Sequence, residues 1–327
     1  MATSVLFSGI SAALNVTIAD DVIRTFNAHA RTVARLTKDR VVGQSMVWDA
    51  ETTGAAIETF NDGDDVVNYS GDDIVKPVLA LQGLRTNIRV GHQALATAAN
   101  AGPAGLGKLF SRTIQNGMRK FGSVLNQAVF AGNGSFVGLS SALDITGLYA
   151  GVDRATVTQW RAKKADPGTP TALTLAQVRQ DLSDIYDQCG EVPPLGTMDS
   201  TTFNKFAALF SEFRRINQQS GDRGPRTLDF TVDAIELDGC LFYKDKDCTA
   251  NTIYYLNPNY IDIGFMPQVD RPGALPIRVD SDQGEFDIGL MYYDLGRNGA
   301  AERGTIEGFL QMAVRKPNAM GKRVNIL

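Results

Sequence analysis

Residues 103–143 read PAGLGKLFSRTIQNGMRKFGSVLNQAVFAGNGSFVGLSSAL, and they contain the longest helix that the sequence predicts. Gly102-Pro103 suits the first turn, because proline presets φ and its missing N–H is not needed there. Apolar residues then recur at helical spacing, at Leu106, Leu109, Phe110, Ile114, Met118, Phe121, Leu125 and Val129. The pattern predicts a helix over residues 104–131, about 40 Å long at about 1.5 Å per residue. Gly132-Asn133-Gly134 is expected to end it.

Charge is segregated around the start of this helix. The segment from Asp49 to Asp73 contains eight acidic residues and no Lys or Arg, whereas residues 74–143 contain seven Lys or Arg and no acid. Adjacent fields of opposite sign steer association and set register without specifying a fold. Two solvated faces are the alternative interpretation. The pairing of opposite signs favours a protein that meets copies of itself, acid to base.

The length, composition and net charge of the chain exclude several classes of protein. The chain has 327 residues, 43% of them apolar and 21% charged, which are ordinary values for a globular protein. The net charge of -4 argues against a general nucleic-acid-binding surface, although a local basic face is compatible with it. No apolar run approaches the roughly 18–20 residues of a membrane span. The segment from Met1 to Asn15 lacks the basic leader of a secretory signal.

The segments before the long helix predict an arm. Residues 16–38 show helical spacing of apolar residues and predict a helix. Residues 41–92 predict a long two-stranded β-arm, whose acidic tip between Thr59 and Asp73 contains two turn signals, NDGDD and SGDD. A two-stranded arm is at best marginally stable alone in water, so it requires a partner surface.

After the long helix, helices and antiparallel strands are intermixed, which predicts an α+β fold. A helix over residues 175–189 begins at a Thr174 cap, and a second follows over residues 201–216. A polar loop is expected at 214–226 and a glycine-rich turn at Gly296–Gly304. The predicted strands are residues 148–152, 157–160, 195–198, 229–243, 252–265, 286–295, 305–314 and 323–327.

No catalytic constellation is found in the sequence. Residues 138–142, GLSSA, lack the second glycine of a hydrolase elbow. Residues 131–135, AGNGS, follow a helix instead of opening one as a phosphate-binding loop does. We therefore expect no enzyme activity and no cofactor.

Metal binding is also not indicated. The two histidines, His29 and His92, exclude a multi-histidine site. The three cysteines, Cys189, Cys240 and Cys248, include no Cys-x-x-Cys pair. Cys240 and Cys248 are expected to be buried thiols, with pairing across a hairpin as the alternative.

Four segments carry a resemblance to a known family. AVFAGNGSFVGLSSAL, residues 128–143, resembles the segment that follows the spine helix in tailed-bacteriophage major capsid proteins of the Hong Kong 97 type. The family's element order is also the order predicted for this chain: N-terminal arm, extended E-loop, spine helix, glycine turn and second α+β domain. The other segments are YAGVDRATVTQWRA at 149–162, LGTMDSTTFNKFAAL at 195–209 and LDGCLFYKDKDCTANTIYYLNP at 237–258.

The resemblance implies a domain plan and a function. The plan is an N-terminal arm at 1–40, an E-loop at 41–92, a peripheral domain with the spine helix at 93–160 and 285–327, and an axial domain at 161–284. The implied function is a virion shell subunit that forms hexamers and pentamers of an icosahedral capsid around phage DNA, assembled in the host cytoplasm. The implied partners are copies of itself, a scaffold, a portal and, as a further option, decoration proteins. No membrane is implied.

Two other functions are weighed. An encapsulin-like nanocompartment shell shares the fold and would need an enzyme cargo. An unrelated α/β enzyme is disfavoured because catalytic residues are missing.

Some members of the resembled family cross-link an E-loop lysine to an asparagine. The only lysine of the arm here is Lys76, away from the acidic tip, so that chemistry is not carried over.

Three sets of contacts are predicted for a shell subunit. The acidic tip, with Asp62, Asp64, Asp65, Asp72 and Asp73, is expected to lie on a neighbour's basic surface at Arg112, Arg119 and Lys120. The glycine-rich turn is expected to reach a three-fold junction, with contacts through Arg297, Gly299, Glu302 and Arg303. Packaged DNA is expected to meet the basic side of the long helix together with Arg24, Arg31 and Arg35, through phosphates and without sequence specificity. The alternative is that these arginines serve only subunit contacts.

Overall fold

The computed structural model describes residues 31–53, 73–210, 234–267, 274–281, 284–298 and 301–327. The described helices are α1 (Arg31–Arg35), α2 (His92–Asn100), α3 (Pro103–Ala131), α4 (Leu139–Ala142), α5 (Leu175–Cys189) and α6 (Ser200–Leu209). The described strands are β1 (Thr37–Arg40), β2 (Ser45–Val47), β3 (Ala50–Thr53), β4 (Asp73–Val75), β5 (Val78–Ala80), β6 (Gln82–Gly91), β7 (Leu148–Tyr149), β8 (Val152–Asp153), β9 (Lys163–Ala165), β10 (Leu195–Met198), β11 (Ala234–Leu237), β12 (Cys240–Lys244), β13 (Ile253–Leu256), β14 (Ile261–Phe265), β15 (Ala274–Ser281), β16 (Gly284–Asn298), β17 (Ala301–Val314) and β18 (Gly321–Arg323).

The chain divides into two units, and the α+β prediction is confirmed. Within the described residues, the first unit contains the chain up to Ser45, Ala80–Gly138 and the described part of Asp262–Met312. The second unit contains the described part of Met46–Leu79 and of Leu139–Ile261, together with Ala313–Leu327. This division differs from the predicted peripheral and axial domains, because residues 139–160 and 313–327 lie in the second unit. The C-terminal strand β18 pairs there with β9 and β13.

The long helix α3 packs on the sheet of the first unit. Strands follow the order β1-β14-β17-β16-β15, and β6 pairs with β17 along ten residues, from Ala301 opposite Gly91 to Leu310 opposite Gln82. A Cβ at Gly117 would lie only 2.8 Å from Cδ1 of Ile88 on β6. Glycine therefore permits close approach of helix and sheet. The predicted apolar stripe is buried at Ile114, Met118, Phe121, Leu125 and Val129.

The turn that ends α3 is tied to the same sheet. Gly132 has φ 82, and its N–H donates to the carbonyl of Ala128 at 2.8 Å. The buried amide of Gln311 on β17 accepts from the Val137 N–H at 3.0 Å and donates to the Ser135 carbonyl at 3.0 Å. The predicted helix end is thus confirmed, and the turn has a fixed position against the strands of its unit.

The second unit is a mixed sheet covered by helices α5 and α6. Its strand order is β11-β12-β10-β13-β18-β9, with parallel pairing of β10 to β12 and of β18 to β9. Thr174 caps α5 in a capping box with Gln177, so the predicted helix start is confirmed. The core is apolar and aromatic, and includes Val178, Leu182, Ile185, Phe203, Phe206, Phe242, Ile253 and Tyr255.

Some predicted elements are wrong. Residues 16–30 of the predicted N-terminal helix lie outside the described residues, and the described helix ends at Arg35. Thr37–Arg40 is instead the strand β1, parallel to β14, because tertiary pairing overrides a weak helical preference. The strand predicted at 157–160 is a 3₁₀ turn, which directs the Trp160 indole N–H to the Tyr149 carbonyl at 3.3 Å. Helix α2 was not predicted.

The predicted glycine-rich turn is also narrower than expected. Strand β16 continues to Asn298 and β17 begins at Ala301. Residues 296–298 and 301–304 therefore belong to a strand pair, with Arg297 opposite Glu302 and Gly296 opposite Arg303.

Candidate assembly surfaces

The basic side of α3 is exposed. Arg112, Arg119 and Lys120 all lie at solvent-exposed positions off the buried stripe. Among the residues that the structure describes, none of the three forms an ion pair. Arg112 and Arg119 are two helical turns apart, about 10 Å along the axis. The helix therefore presents a spaced row of cations.

A second basic surface lies on the sheet and was missed by the sequence analysis. Arg89 of β6 lies directly opposite Arg303 of β17, and both side chains are exposed. Arg85 lies farther along β6, opposite Glu307. The pairing joins segments more than 200 residues apart, so no local pattern in the sequence could have indicated it.

The acidic arm is described only at its base. Strands β3 and β4 are antiparallel, with Ala50 opposite Val75 and Thr53 opposite Asp73, which confirms the two-stranded prediction there. Asp49 and Lys76 form an exposed pair at 3.9 Å. Four of the five acids named for the acidic tip lie outside the described residues, namely Asp62, Asp64, Asp65 and Asp72. The contact of the tip with the α3 cations therefore stays a prediction.

The remaining predicted contact residues are only partly described. Glu302 is half-buried and lines a pocket with His92, Leu95 and Leu106 of the same unit. Gly299 and Arg24 lie outside the described residues. Arg31 and Arg35 are exposed on α1, and each already interacts with another group of the chain. The three-fold and DNA contacts therefore stay predictions.

A buried arginine organises the segment after α4, and the sequence analysis did not single it out. Arg154 is only 2% exposed. Its guanidinium donates to the carbonyls of Ser141 at 2.9 Å, Ala142 at 2.7 Å and Thr146 at 3.0 Å. Its Cζ lies 5.1 Å from the centroid of the Tyr149 ring. Arg154 and Tyr149 both belong to the segment YAGVDRATVTQWRA, so the two residues of this contact lie only five positions apart.

A buried ion pair joins α5 to the C-terminal strand β18. Arg323 Nε donates to Asp181 Oδ2 at 2.6 Å, and Arg323 Nη2 donates to Oδ1 at 2.7 Å. The Tyr255 hydroxyl donates to the same Oδ2 at 2.7 Å. Burial, and then the neighbouring carboxylate, hold the pKa of Tyr255 well above its usual value, so it stays a hydrogen-bond donor. The arrangement satisfies a buried charge and does not form an open reactive site.

Three further observations bear on function. Cys240 and Cys248 are buried, and burial raises the pKa of the Cys240 thiol to about 12. Within the described part of the chain, no three side chains of His, Cys, Asp or Glu come together as metal ligands. No described helix is long and apolar enough to cross a membrane.

Comparison with known proteins gives one family and one fold. The family model for SU10 major capsid protein matches residues 17–326. The structure is similar to that of the cyanophage A-1(L) capsid asymmetric unit, with 16% identity, a TM-score of 0.68 and coverage of 91% of this chain and 93% of that one. A search of curated proteins by sequence gives no match.

Two other solved structures show the same fold. The capsid of the native GTA particle has 12% identity, a TM-score of 0.58 and coverage of 92% of this chain and 91% of that one. The holo-SrpI encapsulin complex from Synechococcus elongatus PCC 7942 has 11% identity, a TM-score of 0.57 and coverage of 91% and 87%.

Proposed function

The chain belongs to the SU10 major capsid protein family, and from this premise we propose how it builds and fills a phage shell. Its fold is that of tailed-phage capsid proteins, so it is a subunit of the virion capsid that assembles with copies of itself. The family match over residues 17–326 is the observation that carries this conclusion. It also favours a phage capsid over an encapsulin compartment, since the encapsulin likeness concerns the fold alone.

The proposed assembly is a closed icosahedral shell of hexamers and pentamers around double-stranded DNA, formed in the host cytoplasm with a scaffold and a portal. The role is structural and not catalytic. The segregation of charge supports the assembly route, because an acidic arm and a basic body on one chain attract each other between copies. Weak exposed pairs suit this task, since misplaced subunits can leave while many repeated contacts hold the finished shell.

The domain roles are part of the proposal. The first unit, with α3 and its sheet, corresponds to most of the peripheral domain, and the second unit corresponds to most of the axial domain. Residues 1–40 act as the N-terminal arm and residues 41–92 as the E-loop. The turn near Gly299 is proposed to approach a three-fold junction, where small residues allow several copies to meet.

The exposed cations of α3 are proposed to meet polyanions. Arg112, Arg119 and Lys120 are candidate receivers of the neighbour's acidic tip, and the same row suits phosphates of packaged DNA. Because contacts to phosphates are electrostatic and do not read sequence, DNA retention is expected to weaken as salt rises.

Neutralising the acidic tip tests the proposed assembly. The triple variant D62N/D64N/D65N is expected to lose most large particles while its subunits stay folded. Exposed ion pairs are worth about 0.2–1 kcal/mol each, and the loss recurs at every subunit of the shell. Sedimentation velocity measures the fraction of protein in particles, and circular dichroism measures folding.

The matched control removes the same charge elsewhere. The variant D187N/E236Q/D238N changes three exposed acids of the second unit and is expected to assemble nearly as well as the unmodified chain. Particles from the acidic-tip variant in normal yield would contradict the proposed role of the arm.

A further inference from the structure

Two arginines of the first unit are held side by side without an acid. Arg89 and Arg303 are direct cross-strand neighbours on the exposed face of the sheet. Directly opposite residues have Cβ atoms about 4.5–5.5 Å apart, and like charges at that spacing destabilise a sheet. In the part of the chain that the structure describes, neither guanidinium forms an ion pair. The folded subunit therefore holds two adjacent positive charges at a fixed spacing, with no ion-pair partner among the described residues.

Two positions that flank the pair on this face of the sheet are glycines. Gly296 of β16 lies opposite Arg303, and Gly91 follows two residues after Arg89 on the same face. Neither glycine has a side chain, and a Cβ at Gly91 would meet nothing within 4 Å. The two arginines are therefore accessible from the solvent-exposed face of the sheet, and the space beside Gly91 is open.

The two acids of the described part of β17, Glu302 and Glu307, do not reach the pair. Glu302 precedes Arg303 and so points to the opposite face, where it lines the pocket with His92. Glu307 shares the face but lies four residues along β17, about 13 Å away at about 3.3 Å per residue, and opposite Arg85. That distance exceeds the Debye length of about 8 Å at physiological salt.

We infer that Arg89 and Arg303 form a clamp for a carboxylate carried by a second copy of this chain. A guanidinium binds a carboxylate through two parallel N–H donors. Because paired strands hold these two guanidiniums next to each other, they can bind a carboxylate in this way without any rearrangement of the backbone. The inference rests on the proposed shell function, and it names a contact within that shell.

Charge complementarity identifies the occupant. The acidic tip contains three carboxylates within four residues, Asp62, Asp64 and Asp65, and no cation. A compact acidic cluster matches two adjacent guanidiniums. The cations of α3 are instead spread along a helix, so their spacing suits an extended polyanion such as DNA. Of the two basic surfaces that could receive the acidic tip, the pair of Arg89 and Arg303 therefore matches it better, and the cations of α3 match DNA better.

Charge reversal with rescue tests the clamp. The variant R89E/R303E is expected to reduce particle yield about tenfold or more at low ionic strength, because two attractive contacts become repulsive in every subunit. Adding D62K/D64K/D65K to it is expected to restore particles. The matched control R85E lies on the same face of the same strand but beside Glu307, and it is expected to reduce yield much less. Particle yield is measured by sedimentation, and a thermal melt of each subunit verifies folding.

A second variant neutralises the clamp from within the same chain. Gly91→Asp introduces an acid beside the arginines, at an extended position before α2 where aspartate is a good helix cap. Subunits are expected to stay folded and to assemble severalfold less, whereas Gly91→Asn, an equally good cap without charge, is expected to assemble normally.

The outcomes separate this inference from the shell function. Normal particles from R89E/R303E, or failure of the lysine variants to rescue them, would overturn the clamp while leaving the shell function intact. Normal shells that lose only their DNA would also overturn it, and would assign the two arginines to nucleic acid. Absence of particles from the unmodified chain would count against the shell function itself.

Discussion

Gly138→Ala is expected to destabilise the first unit by about 3 kcal/mol or more, an effect at the upper end for a single added methyl group. A Cβ at this position would lie 2.8 Å from the carbonyl oxygen of Ala128 and closer still to the backbone nitrogen of Gly132. Both atoms belong to the hydrogen-bonded end of α3, so neither can rotate away as a side chain could. The last turn of the helix must open to admit the methyl group. Chemical denaturation of unassembled subunits measures the loss.

Gly134→Ala is the matched control. Gly134 lies in the same turn with φ 60, and a Cβ there would meet nothing within 4 Å. The substitution carries only the cost of a left-handed alanine, about 1–2 kcal/mol. Equal destabilisation by the two variants would contradict the account of this turn, because only backbone preference would then matter.

Arg323→Met is expected to destabilise the second unit by about 3–5 kcal/mol, because it leaves the carboxylate of Asp181 buried without its cation. Both side chains of the pair are buried, and Asp181 is only 2% exposed. The exposed pair of Arg179 and Asp238 is the control. Arg179→Met should cost no more than about 1 kcal/mol. Urea unfolding measures both variants.

Replacing all three polar side chains of this group tests whether the unpaired carboxylate causes the loss of stability. In the triple variant D181L/Y255F/R323M, this group has no charged side chain and no hydroxyl left without a partner. Replacing a buried ion pair by apolar residues is often close to neutral, so most of the stability lost in Arg323→Met should return. A triple variant as unstable as the single one would show that packing, and not the unpaired charge, causes the loss.

The sequence predicted best where local rules decide the structure. Helix α3 ends where Gly132 requires a positive φ, and α5 begins at the capping box of Thr174. Strand β10 has the predicted bounds, because a short apolar segment lies between clear turn and helix signals. These features depend on neighbouring residues, whose preferences can be read directly.

Long-range pairing could not be predicted in the same way. Strand β1 forms only because β14 is available beside it, and β17 begins at Ala301 because β6 and β16 extend the ladder. The candidate contact residues could likewise be predicted only where they lie close together in the sequence. The cations of α3 stood out as a block in the sequence. The pair of Arg89 and Arg303 did not, since its two members are brought together by the sheet alone.

The shell function has one direct test, which is cryo-electron microscopy of the large particles formed when the chain is produced in a bacterial cell, together with a scaffold if one is required. The account predicts closed icosahedral shells in which each copy's arm lies on its neighbour, with the residues 62–65 within ion-pair distance of a basic surface on the next copy. Folded protein that stays as single subunits or small oligomers under every assembly condition would contradict it.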